Sequence, residues 1–536
     1  MWQEITFSGG LMSAAYTSTA DFTIAENQGL QSTDQDGLWI TQSGGGAPPN
    51  LTLLYGSSLT VAATLAYTGQ AIYGVQAIGS FSGASFTMAA QSELNVLEND
   101  SPPYALGDLA GYGVFSTDSP NLTITAGRIW VGVSGQAVGV LAPFSRPDGF
   151  VTLQQGSVEV VSNDGAAYGV RMDTGGTLQI TLGTIQATAQ TVAYGVFING
   201  DGGSVFNHGI ITAGGEGSRG GYGVAVEWLS SSVAGTSGAF VNDGMLTGDY
   251  ALVAKAAVVN PSAIQVFTNN GAMVGAVDLG EAPSHLLNNG RIDGQVAFGA
   301  SNDLYDGHAG TVTGSVLAGG GDDTLIGGGE GEALTGAAGN DSIAGGVGAD
   351  TIDGGAGSNV LFGGAGGDLV TGGAGYNRVN GNTGDDTLVG HSAVGDWLLG
   401  GQGQDSISAA AATGADIING NLGDDTLVGG AGADMLPGGQ GNDVIRAGSG
   451  ADWISGDLGS NSLYGGQGAD TFHAGAGHDA VNGWHVGDHV QVDAGVTWTV
   501  SQAGADTHVN FSNGGEMDLL GVQKSLLQAG WIAGGQ

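Results

Sequence analysis

The sequence predicts an all-β chain, with a parallel β-helix or related solenoid first, then a parallel β-roll, then a small β cap. Three observations predict it. A nine-residue pattern, Gly-Gly-x-Gly-x-Asp-x-apolar-x, runs almost unbroken from Ala318 to about Gln491. Before it, a looser motif built on Tyr-Gly-Val recurs at a spacing that settles near 26 to 30 residues. Of the 536 residues 107 are Gly and only 7% are aromatic, and much of the 41% hydrophobic content is Ala and Val. Such small side chains suit thin stacked sheets better than one large globular core.

Residues 1–20 read as an N-terminal extension. Ile5-Thr6-Phe7 ahead of Gly9-Gly10 suits a strand donated to a neighbouring molecule. The opening residues lack the basic and apolar regions of a cleaved leader, and no run of about 18 apolar residues suggests a membrane span.

Residues 21–317 read as the β-helix-like domain. The motif copies are Ile72-Tyr73-Gly74-Val75, Tyr112-Gly113-Val114, Val138-Gly139-Val140, Tyr168-Gly169-Val170, Tyr194-Gly195-Val196 and Tyr222-Gly223-Val224, with Tyr250-Ala251-Leu252 in the next slot. Between them lie short β-rich runs and turns at Asn207-His208-Gly209, Asn242-Asp243-Gly244, Asn270-Gly271 and Asn289-Gly290. A period in the high twenties with short strands and turns fits one coil of a parallel β-helix. The repeated tyrosines are expected to form an aromatic ladder, either a plain structural stack or a platform for carbohydrate. The shorter coils after Asn270 are expected to taper into the roll without a linker.

In residues 318–491 each position of the nine has a physical role. Glycines reach positive φ and let carbonyl oxygens crowd a cation with no Cβ in the way. The aspartate at position six supplies a hard carboxylate oxygen, and the apolar residue at position eight points inward from a very short strand. Calcium accepts six to eight oxygens in flexible geometry, whereas magnesium demands a tighter octahedron and zinc prefers His or Cys. A flexible glycine linker would not hold Leu325, Leu334, Ile343, Ile352, Leu361 and Val370 at every ninth position.

These nonapeptides resemble the RTX family of secreted calcium-binding proteins. The resemblance implies two repeats per turn of a parallel β-roll, with position-six residues stacked in two ladders and multiple Ca2+ ions bound along them. One ladder holds Asp323, Asp341, Asn359, Asn377, Asp396, Asp416, Asp434, Asp452, Asp470 and Asp488. The other holds Glu332, Asp350, Asp368, Asp386, Asp405, Asp425, Asp443, Asn461 and Asp479. The expected calcium ligands are Asp323, Asp341, Asp350, Asp368, Asp386, Asp396, Asp405, Asp416, Asp425, Asp434, Asp443, Asp452, Asp470 and Asp479. Asn359 and Asn377, which bring no charge, mark weak or empty positions, and Glu332 stands in a degenerate copy. Extra residues at His391–Val394 and Ala409–Thr413 predict two small bulges side by side.

Composition agrees. A net charge of −41, from 50 Asp and Glu against 9 Lys and Arg, repels nucleic acid and anionic membranes. Absent cysteine removes disulfides and thiolate metal sites. Residues 492–536 alternate like strands around Asn513-Gly514-Gly515 and end in an apolar tail. They resemble the capping and export region that follows such arrays, which implies type I secretion with an uncleaved C-terminal signal. His485 and His489 flank Asp488 as a conceivable transition-metal pair, or as cap packing.

Catalytic motifs are missing: no His-Glu-x-x-His and no Gly-x-Ser-x-Gly occurs. The layout of β-helix then roll resembles alginate C-5-epimerases, but Tyr194-Gly195 is followed by Val196-Phe197-Ile198 where those enzymes carry Asp-Pro-His. The expectation is therefore an extracellular, calcium-dependent structural protein that self-assembles into a surface layer, filament or matrix. An adhesin holding a cell-surface glycan is the alternative, and a polysaccharide lyase or uronan epimerase a more distant one.

Overall fold

The computed structural model describes residues 264–534 without a break and most of 150–256, with gaps at 163–164, 174–176, 200–203, 216–221, 231–238 and 257–263. Before residue 150 it describes mainly strand backbones, and residues 1–15, with Ile5-Thr6-Phe7, lie outside the described residues. The chain divides into two compact units, Met1–Gly299 and Ala300–Gln536.

The first unit is a right-through stack of parallel strands, three per coil. One column runs Ile72–Ile78, Gly111–Ser116, Ala137–Ala142, Ala167–Met172, Val192–Asn199, Tyr222–Ser230, Met245–Ala256, each strand hydrogen-bonded to the next. A second passes through Arg128–Val133, Ser157–Ser162, Thr184–Ala189 and Ile210–Gly215. A third passes through Phe150–Leu153, Thr177–Ile180, Ser204–Asn207, Ala239–Asn242, Gln265–Asn269 and Ser284–Asn288. Strict alternation sets the register, because a one-residue slip would turn every inward side chain outward. Ile129, Val158, Ile185, Ile211 and Leu246 fall in one row, each at most 1% exposed. Burying such a side chain contributes about 1.5–3 kcal/mol.

Among the described side chains the tyrosine ladder is a single stacked pair. Tyr168 and Tyr194 stack at 4.9 Å with planes 14° apart. At the next coil the register slips by two residues, so Tyr194 lies opposite Val224 and Tyr222 opposite Val192. Rings stacked on one another present edges to solvent, not the faces a sugar would stack on.

The Asn-Gly turns instead form a column of their own. Asn207, Asn242, Asn269 and Asn288 are fully buried, and each Nδ2 donates to the next Oδ1 at 2.8 Å. The glycine two residues after each asparagine is needed for stacking. A Cβ on Gly244 or Gly271 would lie 2.0 Å from a carbonyl oxygen of the coil before.

In the second unit very short parallel strands alternate between two sheets. Thr351–Asp353 pairs with Leu369–Thr371, and Ser342–Val347 with Val360–Ala365. The position-eight residues from Leu325 to Val490, Ile343, Leu398, Ile418 and Phe472 among them, are at most 1% exposed. The roll is closed by a cap. A hairpin of Trp498–Ala503 and Asp506–Phe511 leads to Glu516–Leu519, which pairs parallel with His478–Asn482. Ile532–Gly534 pairs with His489–Val492, and Trp484 packs between Phe472 and Trp531.

Candidate metal sites

Each nonapeptide turns at its glycines and returns into a strand of three to six residues, which brings position six of every second repeat onto the same edge. The resulting ladders are built from charge-assisted hydrogen bonds. The backbone N–H of Asp323 donates to Asp341 Oδ1 at 2.9 Å, that of Asp350 to Asp368 Oδ1 at 2.9 Å, and that of Asp452 to Asp470 Oδ1 at 3.0 Å. One carboxylate oxygen thus holds the stack together. The other faces into the turn.

That second oxygen is the signature of the site. Of the fourteen expected ligands, eleven place a buried Oδ2 with no hydrogen-bond partner: Asp323, Asp341, Asp350, Asp368, Asp386, Asp405, Asp416, Asp425, Asp443, Asp452 and Asp470. A buried, unpaired carboxylate oxygen costs free energy unless a cation meets it. Eight of these oxygens, those of Asp341, Asp350, Asp368, Asp386, Asp405, Asp425, Asp443 and Asp470, look into a glycine cradle, and Ala318, Ala411 and Ala447 take the cradle position before Asp323, Asp416 and Asp452. A Cβ on Gly345 would lie 2.3 Å from Asp350 Oδ2 and 2.5 Å from the Gly363 carbonyl oxygen, so the two oxygens converge on one small space. Gly381, facing Asp386 Oδ2 at 2.2 Å and the Gly400 carbonyl at 2.6 Å, repeats the arrangement. No three carboxylate or imidazole groups converge among the described residues. Each carboxylate stands with turn carbonyls, a mixed all-oxygen donor set that calcium accepts. The residues fit calcium, which supplies positive charge to the facing oxygens when bound.

Burial also raises the carboxyl pKa values. Asp323, Asp386, Asp416 and Asp425 are pushed up to about 7, chiefly by desolvation, with neighbouring carboxylates adding to the rise. Asp443, Asp452 and Asp479 are raised to about 6 by the same cause. Protons and calcium therefore compete for these oxygens.

Three expected ligands differ. Asp396 Oδ2 accepts the Ser392 N–H at 3.3 Å, and Asp434 Oδ2 accepts the Gly430 N–H at 2.8 Å. Asp479 Oδ1 accepts Asn461 Nδ2 at 2.8 Å. Two further residues join the set. Asp303 is 4% exposed and its N–H donates to Asp323 Oδ1 at 2.7 Å, so the first ladder begins one rung before the glycine pattern. Glu332, in its degenerate copy, buries an unpaired Oε2. Both are followed two residues later by an inward apolar side chain, Tyr305 and Leu334, the signal that remains when the glycines are lost.

The longer turns lie side by side: Thr413 N–H donates to the Ser392 carbonyl at 3.2 Å. His485 and His489 serve the roll end, His489 Nε2 lying 3.0 Å from Thr471 Oγ1 and the His485 N–H donating to Asp488 Oδ2 at 2.6 Å.

The fold and these ladders define the second unit as a calcium-binding parallel β-roll. It is an RTX array: residues 326–361, 335–370, 362–393, 411–445, 438–463 and 446–481 match the family model of the RTX calcium-binding nonapeptide repeat. Such repeats bind multiple Ca2+ ions and are typical of secreted extracellular proteins. Among solved structures, the extracellular lipase LipA from Serratia marcescens is similar at 17% identity and a TM-score of 0.20, over 34% of this chain. The match spans 40% of the lipase, and at that score it carries no argument about activity. No curated protein matches the chain. Among the described residues no helix is long and apolar enough to cross a membrane.

Proposed function

We propose that the chain is a secreted, calcium-gated structural protein whose copies assemble side by side into a layer, filament or matrix. The observation that carries this reading is an outer face of the roll that stays apolar over consecutive rungs. Trp397 and Leu399, Ile417, Met435 and Pro437, and Trp453 point outward from four successive strands paired in register, with Asn419 and Ser455 among them, and Val360 and Phe362 lie beyond the polar rung of Arg378 and Asn380. Phe362 and Ile417 are each 41% exposed and Met435 46%. The opposite sheet is more polar at the equivalent outward positions, with Thr351, Asp353, Thr371, Thr387, Ser406, Ser408 and Thr426, and its apolar residues Leu369, Val389 and Val428 are interspersed among them. A contiguous exposed apolar surface marks an interaction site, and on so acidic a chain a face without carboxylates is where two copies can approach. The capped C-terminal end of the roll favours contact through this face over addition at that end.

Calcium sets the timing. In low calcium the buried carboxylates repel and the array stays unfolded, fit for export by a type I system through the C-terminal segment. Outside the cell, calcium binds only the folded roll and supplies its folding free energy.

A second reading, adhesion to an uncharged glycan, is favoured by a groove of ≈ 700 Å³ lined by Asn382, Gln402, Asn421, Gln440, Leu422 and Leu458. Asn382 and Asn421 hold positive φ of 73° there, where other repeats use glycine. Uronan chemistry is the least supported. The described cations of the first unit are engaged by acids: Arg128 with Glu159, Arg171 with Asp173, Arg291 with Asp293, and Lys255 4.0 Å from Glu227. Arg146 and Arg219 lie outside the described residues. Ser455, His473 and Asp493 line up, but Ser455 is fully buried and its hydroxyl donates to Asp457.

The test is electron microscopy of the secreted protein in millimolar calcium and after chelation, with Ile417→Asp and Met435→Asp variants alongside. Ordered assemblies that dissolve on chelation and fail in the variants support the reading. Monodisperse single molecules in calcium overturn it and move the weight to glycan binding.

A further inference from the structure

We propose that the roll takes up calcium as an unbroken column along one edge only, and that the other edge carries a calcium-free gap, Asn359 to Asp396, in which the protein's own N–H groups occupy the cation's place. This rests on the reading of the position-six ladders as the calcium sites. The two edges differ atom by atom. Along the second ladder Glu332, Asp350, Asp368, Asp386, Asp405, Asp425 and Asp443 follow one another, each with a buried, unpartnered carboxylate oxygen. Along the first ladder Asp323 and Asp341 have the same orphan oxygen, and then it disappears for three rungs.

Within the gap every polar atom at position six is satisfied. Asn359 Nδ2 sits against the Gly354 cradle, 2.7 Å from where a Cβ would stand, the place an aspartate Oδ2 takes in other repeats. It donates to the Gly372 carbonyl at 3.2 Å and to Asn377 Oδ1 at 3.1 Å. Asn377 Nδ2 donates to the Gly375 carbonyl at 2.6 Å and to Asp396 Oδ1 at 3.0 Å. The turn carbonyls that would face a cation therefore already face an amide hydrogen. Asp396 keeps the carboxyl group, but Oδ1 accepts both the Asn377 N–H and its Nδ2, and Oδ2 accepts the Ser392 N–H. The extra residues at His391–Val394 supply that last donor. Asp434 repeats the device beside the second long turn, through Gly430 N–H.

An amide donating into turn carbonyls does the cation's electrostatic work without recruiting an ion from solution, so the gap is complete at any calcium concentration. At about 4.8 Å per rung it extends about 15 Å along the edge. In a solenoid, folding spreads from whichever neighbouring repeats pair first, and the gap is the part of the first edge that can pair before calcium arrives.

The test counts calcium ions bound at saturation to the full-length protein, by native mass spectrometry and by calorimetric titration, in six variants. Asp368→Asn and Asp386→Asn in the unbroken column are expected to lower the count, whereas Asp396→Asn and Asp434→Asn leave it unchanged. Restoring charge with Asn359→Asp and Asn377→Asp is expected to raise it. A loss of calcium in Asp396→Asn equal to that in Asp368→Asn overturns the gap. An unchanged count in Asp368→Asn instead defeats the reading of the ladders as calcium sites, which separates the two failures. Hydrogen exchange at low calcium gives a readout independent of the variants. Protection of residues 372–378 ahead of residues 381–386 is expected, and the reverse order counts against the proposal.

Discussion

Both units bury a ladder of acid-amide side chains at a turn, and they complete it in opposite ways. In the first unit Asn207, Asn242, Asn269 and Asn288 close on themselves, each amide donating to the next at 2.8 Å. In the second, Asp350, Asp368 and Asp386 use one oxygen for the stack and leave the other unpaired in a glycine cradle. An asparagine carries donor and acceptor together, so a column of them is self-sufficient. An ionised aspartate only accepts, so a column of them is complete only with a cation. One unit is folded by its sequence and the other by its sequence plus its medium.

The largest effect should follow from removing calcium. Each site that binds only the folded state contributes about 2.7 kcal/mol when calcium stands at a hundred times its dissociation constant, and the sites act on one cooperative roll. Chelation is expected to remove most of the β signal of Ala300–Gln536 in circular dichroism and to expose it to protease, the segment from Asn359 to Asp396 last, while the coils of the first unit stay protected. Loss of both together breaks the comparison. Next in size is a swap between ladder types. Asn242→Asp places a carboxylate against Asn269 Oδ1 at a position with no exposure, and a buried unpaired charge costs more than a neutral orphan. A loss of about 3 kcal/mol in thermal or denaturant unfolding is expected at pH 7, insensitive to calcium.

How much of this the sequence discloses depends on whether a role is tied to a fixed position. In the nonapeptide the cradle glycine, the acid and the inward apolar residue hold constant offsets, so the roll and its two ladders are legible from spacing. Asp303 is not, because Asn302-Asp303-Leu304-Tyr305 lacks the preceding glycines and stands 20 residues, not 18, from Asp323. The asparagine ladder hides for a related reason: its steps of 35, 27 and 19 residues obey no single period, and Asn-x-Gly reads locally as a turn. The slip at Tyr222 is illegible because pairing is set by which side chains alternate inward, Val224 and Val226, and not by the motif's own tyrosine. Nor does sequence say that Asp396 and Asp434 turn an oxygen onto a backbone N–H, since that follows from the conformation of a longer turn.

A smaller perturbation sharpens the role of the cradle. Gly363→Ala places a Cβ 2.4 Å from Asp368 Oδ2 and 2.8 Å from the Gly381 carbonyl, inside the space where those oxygens converge. Overpacking of this kind costs about 1–3 kcal/mol. Because the Gly363 φ is not in the left-handed region, the effect is steric and local. Weaker calcium binding at one site is expected by titration, with the outer faces unchanged. Gly483→Ala, at an open turn with nothing near the added carbon but a φ of 70°, should lower stability without touching calcium affinity.

The smallest effect, and the most diagnostic of mechanism, is the pH dependence without calcium. Folding raises the carboxyl pKa values of Asp323, Asp386, Asp416 and Asp425 to about 7, because burial disfavours the charged form. The folded roll then holds more protons than the unfolded chain between about pH 4, where free aspartate titrates, and pH 7. Stability of the chelated protein must fall as pH rises across that window. A proton on Oδ2 partly substitutes for calcium, so acidification from pH 7.5 to 5 is expected to restore β structure to the chelated second unit. The asparagine ladder of the first unit has no such group and adds no pH dependence of its own over the same range, where Glu227 is the described carboxyl of that unit raised by burial. With calcium present the sign reverses for the second unit, since protons displace the ion: its affinity should fall as pH drops below 7. A chelated roll that gains structure with rising pH would mean that the buried carboxylates are held by donors and not by burial alone, and the two ladders would then differ in charge but not in kind.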